Sequence, residues 1–367
     1  MTTRFCANPF FLKTLDPLKK IHCCWMKDNA DLAQVQADIL ADRPSPACKK
    51  CWIAEESGVP SKRQTDTKNL QVLTKLSEAE LKIYAVNDPT PLLWQVRLGN
   101  DCNLACKTCY AGDSTRWYSE WNLRHPNDTY QRPIRLDISQ SHSLDYSKVK
   151  FIEFLGGEPF VGERYRPYLE KLIEANNFDV MLSFTTNGTV RPPVELLKRF
   201  SNVNINISID GVGRRFDYLR WPARWEEVDA NITWWQEQRL GPVSCVHTIS
   251  NLTIGYLDEF LPFALKRFGV GKYHFNIVEH PRYHAPNVLP AEVKAQITKR
   301  YQGHRMAPML VPFSNLMQHP VRDFTLLRFA VETLRQDEYR NQRMRDYLPE
   351  IVFFDDSTVL RKSFKKV

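Results

Sequence analysis

The sequence predicts an α/β fold: an open partial (β/α)6 barrel of the TIM type, with a small cysteine-rich module before it and a helical extension after it. Three observations predict this. Strand-like runs alternate with helical stretches six times between residues 92 and 278, the pattern that builds a parallel sheet. Of the nine cysteines, Cys6, Cys23, Cys24, Cys48 and Cys51 crowd the start of the chain. From residue 289 onward the sequence is mixed, and its periodic segments, 291–301 and 324–339, read as amphipathic helices. The expected divisions are a module over 1–68, a helical linker over 69–91, the barrel over 92–288, and a helical extension and tail over 289–367.

Taken in order, residues 57–69 are polar and read as a linker leading out of the module. Ser77 caps a short helix, with Glu78 and Glu80 in its first turn, where the helix dipole favours acids. Asn87, Asp88, Pro89 and Pro91 end it. Strands are expected over 92–98, 149–155, 179–185, 203–209, 243–250 and 273–278. The fourth alternates as VNINISI. Helices are expected over 166–176, 193–200, 225–238 and 256–268, then over 291–301 and 324–339, and Asp355, Asp356 and the basic end read as a tail.

The chain has 367 residues and a formal charge of +8. That balance suits an anionic substrate, but no basic stripe is interleaved with aromatics, so nucleic-acid binding is not expected. No apolar run is long enough to span a membrane. No signal-peptide pattern opens the sequence, and the expected location is cytoplasmic. Many cysteines in such a chain point to metal ligands or catalysis rather than disulfides.

The chemistry concentrates after the first strand. Asp101 to Tyr110 reads DCNLACKTCY, placing Cys102, Cys106 and Cys109 at C-x3-C-x2-C. Three thiolates in one tight loop suit three corners of a [4Fe-4S] cube and leave the fourth iron open. A zinc site or a set of core thiols is the competing reading. Structural zinc sites take four ligands, and no fourth lies near in sequence. Cys245, in the fifth strand, reads as a buried structural thiol, with a hydrogen-atom donor as its minor alternative. His274, His280 and His284, with Tyr273 and Tyr283, surround the end of the sixth strand and form a candidate substrate rim, with ordinary packing as the alternative.

The segment CNLACKTC resembles the signature of the radical SAM superfamily. So do Gly156-Gly157-Glu158-Pro159 after the second strand, Asn187-Gly188 after the third, Ser208 to Gly211 at the fourth, Tyr218-Leu219-Arg220 beyond it, and Thr248 to Asn251 at the fifth. The resemblance covers roughly residues 92–285. It implies a [4Fe-4S] cluster on Cys102, Cys106 and Cys109, and S-adenosylmethionine (SAM) chelating the open iron. It implies that Gly156, Gly157 and Glu158 hold the SAM amino group through their backbone, and that Asn187 helps fix its polar groups. Ser208 and Asp210 would bind the ribose, and Arg220 the SAM carboxylate. The family often has an aromatic residue just before the third cysteine. Here Thr108 stands there and Tyr110 follows, so Tyr110 is the candidate beside the adenine.

The N-terminal cysteines resemble the auxiliary-cluster module of twitch/SPASM radical SAM proteins, placed ahead of the barrel instead of behind it. The resemblance implies a second [4Fe-4S] cluster on Cys6, Cys23, Cys48 and Cys51, with Cys24 as the alternative to Cys23. A small zinc module is the competing reading, since the C-x2-C of Cys48 and Cys51 suits zinc as well. The function implied is reductive cleavage of SAM to a 5′-deoxyadenosyl radical and abstraction of a hydrogen atom from a peptide or protein residue. The alternatives are a dehydrogenase or rearrangement enzyme acting on a small anionic sugar or nucleotide precursor, and a non-catalytic Fe-S electron-transfer or regulatory protein. An electron donor such as flavodoxin or ferredoxin is the expected partner.

Overall fold

The computed structural model describes residues 4–17, 22–23, 25–27, 29–278, 280–319 and 323–351. Seven strands form one parallel sheet in sequential order, curled into a half-barrel with helices around it. They are β1 (Leu12–Leu15), β2 (Leu93–Arg97), β3 (Phe151–Leu155), β4 (Met181–Thr186), β5 (Asn202–Ser208), β6 (Val243–Ile249) and β7 (Tyr273–Ile277). All six expected strands are present. The seventh, β1, comes from the cysteine-rich N-terminus and lies parallel to β2, with Leu12 opposite Leu93. Four residues carry little periodicity of their own, and it is the free edge of β2 that makes them a strand.

Among the described residues, thirteen helices accompany these strands. Five precede β2: α1 (Asn8–Phe11), α2 (Leu32–Leu40), α3 (Lys49–Glu56), α4 (Lys62–Thr74) and α5 (Glu78–Asn87). The expected linker over 57–69 is largely α4. Ser61 accepts from the Gln64 backbone and the Gln64 side chain accepts from the Ser61 backbone, a capping box that starts a helix even in a polar segment. Ser77 and Glu80 start α5 in the same way, as expected.

The barrel helices are α6 (Tyr118–Arg124), α7 (Arg166–Glu174), α8 (Arg214–Leu219), α9 (Trp225–Gln238) and α10 (Leu257–Phe268). In α9, Val228, Ile232 and Trp235 are buried at helical spacing, and Glu226 and Glu227 sit in the first turn, where the dipole favours them. The helix expected over 193–200 is only the short 3-10 turn Leu197–Arg199. Val194, Leu197 and Phe200 are all buried, and their three-residue spacing fits the tighter 3-10 period. Beyond β7 lie α11 (Ala291–Gln302), α12 (Ala307–Leu316) and α13 (Asp323–Arg340), of which α12, with Pro312 inside it, was not expected. The acidic and basic tail lies outside the described residues.

Alternate strand positions face opposite ways. Val96, Phe154, Phe184, Ile205 and Cys245 pack with Leu169, Trp235 and Phe260 of the surrounding helices, forming the main core on the convex side. The intervening positions therefore line the concave side. At the foot of that side, Leu93 and Phe151 join Phe5, Phe10, Leu70 and Leu81 in a separate apolar cluster with the N-terminal segment. The module and the barrel thus share an edge strand and an apolar contact.

Candidate functional site

The cysteine loop follows β2 directly. Its carbonyls are held from within the chain: Ser114 Oγ donates to Leu104 O at 2.6 Å, Thr115 Oγ1 to Cys102 O at 3.1 Å, and Trp117 Nε1 to Cys106 O at 3.2 Å. Two backbone bonds then zip the loop to the end of α8 and the segment after it, from Ala105 N to Trp221 O and from Lys107 N to Leu219 O, both at 2.8 Å. This is why Arg220 arrives beside Cys106, with Nη1 3.9 Å from its sulfur. On the other side Asn187 Nδ2 lies 3.9 Å from Cys102 Sγ.

Burial raises all three thiol pKa values, that of Cys102 to about 12; neighbouring thiols raise Cys102 and Cys109 further, whereas at Cys106 the Arg220 guanidinium opposes the rise. Three thiols gathered like this resist ionisation unless a cation shares the site. Among the described residues no three His, Cys, Asp or Glu side chains are close enough to hold a single metal ion. A [4Fe-4S] cube spreads its ligands over separate irons, and three thiols on one loop fit three of its corners.

Gly156 and Gly157 have φ of 90° and 55°. A Cβ at Gly156 would lie 2.7 Å from Gly99 O, and one at Gly157 would collide with Asp101 O. The glycines are needed because the β3 turn presses against the cysteine loop itself, where only a residue without Cβ fits. Glu158 turns inward. Its backbone N–H donates to Asp101 O at 2.7 Å, and its carboxylate accepts from Thr186 Oγ1 at 2.7 Å and from Asn187 N at 2.6 Å. It ties the ends of β3 and β4 to the cysteine loop, and burial raises its pKa to about 7.

Ser208 closes β5, half-buried on the concave side. Asp210 and Arg220, expected to serve different ends of one ligand, pair with each other at 2.8 Å. Asp210 also accepts from Thr248 N at 2.9 Å. The Arg220 Nε is buried with no protein partner. Tyr110 stacks over Gly112 and lies 6.1 Å from the Trp121 ring. The expected loop residues therefore converge from the ends of β2, β3, β4 and β5.

At the N-terminus, Cys6, Cys23, Cys48 and Cys51 line one pocket together with Trp25, Trp52 and Arg63. Burial raises the pKa of Cys6, Cys48 and Cys51, the last to about 11. Asn8 Nδ2 lies 3.7 Å from Cys23 Sγ. Cys24 lies outside the described residues. Arg63 fixes the wall of the pocket through Phe5 O at 2.8 Å and Glu55 at 2.7 Å.

Other expectations separate here. Cys245 is fully buried on the convex side, away from the cavity. Tyr283 and His284 are buried in the C-terminal core, His284 against Phe329, and do not form a rim. His274 does reach the concave side, opposite Val246 in the register. The sequence reading missed a buried charged layer behind the cysteine loop. Lys107 Nζ meets Asp337 of α13 at 2.6 Å, and Arg340 meets Glu120 at 2.9 Å while lying over the rings of Trp117 and Trp221. Its only sequence signal was a lysine inside the cysteine motif.

Residues 96–261 match the family model of the Radical SAM superfamily. No curated protein matches. Among solved structures, anSMEcpe with bound AdoMet and a Cp18Cys peptide is 14% identical, with 57% of this chain and 58% of that one covered and a TM-score of 0.38. The chain thus spans less than two thirds of that relative. SuiB of Streptococcus suis bound to its precursor peptide SuiA is 11% identical, with 89% of this chain and 71% of that one covered and a TM-score of 0.37. TYW1 with a lysine-pyruvate adduct is 14% identical, with 58% and 70% covered and a TM-score of 0.31.

Proposed function

With a radical SAM match over residues 96–261, we propose that the chain is an enzyme that reductively cleaves SAM and removes a hydrogen atom from a peptide or protein residue. The observation that carries the first half is the set of Cys102, Cys106 and Cys109 in one braced loop, with Arg220 against Cys106 and Asn187 against Cys102. When bound, a [4Fe-4S] cluster would supply the electron and an open iron for SAM.

The protein's own part is placement. The three thiols hold the cluster, and the carbonyls behind them are already bonded within the chain, so the loop keeps its shape. Arg220 offers a guanidinium to the SAM carboxylate, a charge-assisted contact, and Asp210 keeps that guanidinium aimed while accepting from Thr248 N. Ser208, Tyr110 and the backbone of Gly156 to Glu158 line the approach for ribose, adenine and amino group. In the N-terminal pocket, Cys6, Cys23, Cys48 and Cys51 would hold a second [4Fe-4S] cluster. The likeness of that module to twitch/SPASM proteins favours a peptide or protein substrate.

The test is anaerobic reconstitution of the full chain, followed by dithionite and SAM. Release of 5′-deoxyadenosine is expected, with about eight irons per chain for two [4Fe-4S] groups. Absence of 5′-deoxyadenosine from a protein loaded with iron would overturn the enzyme reading. About four irons with zinc retained would overturn the second cluster alone.

A further inference from the structure

The concave side of the half-barrel is polar. Interiors of parallel barrels are ordinarily filled by branched apolar side chains, and asparagine is disfavoured in strands. Yet β5 places Asn204, Asn206 and Ser208 on this side, and the register sets Ser183 and Ser244 on neighbouring strands. Asn206 Nδ2 donates to Ser183 Oγ at 2.8 Å. Such residues do not fill a core. They present hydrogen-bonding atoms to whatever enters.

Two charged strand residues stand in this surface, Arg97 and Glu153. Glu153 lies on β3 opposite Gln95, and Gln95 Nε2 donates to its Oε2 at 2.7 Å. Its side chain is half-buried, and no described lysine or arginine pairs with it. Arg97, two residues along β2 on the same side, is already engaged by Asp113 and Asp16. A half-buried carboxylate with only an amide for company has acceptor capacity left over and gains from a cation. Glu153 stands three residues before Gly156, about 10 Å down the strand from the rim, with the apolar contact at Phe151 closing the space below. Across the cavity is His274. Its surroundings lower its pKa by desolvation, and Glu153 is the charge that opposes the shift.

We infer that this concave surface is the substrate-gripping part of the site, and that Glu153 takes a cationic, hydrogen-bond-donating group, a guanidinium or ammonium of a basic side chain. This rests on the function proposed above and narrows it. An anionic metabolite, which the overall charge of +8 favours, would meet a carboxylate of its own sign here. A basic residue of a peptide meets an acceptor at Glu153 and orienting hydroxyls and amides at Ser183, Asn206 and Ser244.

The test uses the reconstituted full-length protein with SAM present. Binding of Nα-acetylarginine amide, its uncharged isostere Nα-acetylcitrulline amide, and Nα-acetylglutamate amide is compared by saturation-transfer NMR. The arginine probe should bind at least tenfold more tightly than either of the others, and Glu153→Gln should shrink that preference to within about twofold. Equal binding of all three probes, no binding of the arginine probe, or a preference for the anionic one overturns the inference. So does a preference that survives in Glu153→Gln. The comparison on the unmodified protein decides the sign even if the variant fails to fold. Release of 5′-deoxyadenosine by the unmodified protein is scored separately. Its absence counts against the enzyme reading, whereas its presence alongside indifferent probes counts against this inference only.

Discussion

Lys107, inside the cysteine motif, is paired with Asp337, which lies 230 residues further along the chain, at 2.6 Å and with both side chains buried. Asp337 also accepts from Tyr218 Oη at 2.9 Å and from Met344 N at 2.6 Å. The C-terminal helix therefore holds the back of the loop whose front carries the cysteines. Asp337→Ala leaves a buried ammonium with no counter-charge and should cost about 3–5 kcal/mol of stability. The double change Lys107→Met with Asp337→Leu should cost less, because no orphaned charge remains. Urea unfolding of the three proteins checks the order.

Arg220→Met should weaken SAM binding on the order of tenfold to a hundredfold, the range for one charge-assisted hydrogen bond. Iron content should stay near that of the unmodified protein, because the cysteines are untouched. Equilibrium dialysis with SAM, read beside an iron assay, separates the two effects.

Cys48→Ala should lower iron from about eight to about four per chain, the share of one [4Fe-4S] group. Cys106→Ala should remove the other share and, unlike Cys48→Ala, abolish SAM cleavage outright. Iron assay and 5′-deoxyadenosine release on the same samples check both.

Gly157→Ala should destabilise by more than about 1 kcal/mol, since the position has positive φ and no room for a Cβ. Gly162→Ala, also at positive φ but with nothing near the added carbon, should cost less. Thermal unfolding of the pair distinguishes crowding from backbone strain.

His247 is buried on the convex side with Nδ1 2.9 Å from Ile209 O, and burial lowers its pKa to about 4. The unfolded chain takes up this proton near pH 6.5 and the native one only near pH 4. Between those values the unfolded state binds more protons, so stability falls as pH drops and is restored above about 6.5. At pH 5 the loss is about 2 kcal/mol relative to pH 8. His247→Asn should flatten that part of the pH profile in urea titrations.

Much of this was legible in the chain itself. Strong alternation and glycine turns located β2 to β7, and cysteine spacing located the loop. Three kinds of feature were not legible. β1 exists because β2 offers an edge, which is a property of a partner 81 residues away in the register. Helix α4 is polar nearly all round, so its pattern is silent and only Ser61 and Gln64 mark its start. The pairing of Asp210 with Arg220, and of Lys107 with Asp337, depends on where loops meet in space. The asparagines of β5 were in plain view, but the alternation that revealed a strand does not say which side faces the cavity. That took the packing of Ile205 and Cys245 against the helices.

The union of β1 with β2 also sets an order of events at the ribosome. Leu12 leaves the exit tunnel long before Leu93, its partner in the ladder. At about 5–20 residues per second, the interval is roughly 4–16 s. Before it ends Cys6, Cys23, Cys48 and Cys51 have all left the tunnel, with their edge strand still unpaired. Any metal that reaches them in those seconds meets an unfinished pocket. The pocket lined by these cysteines therefore reaches its final form only after the first barrel strand has been synthesised.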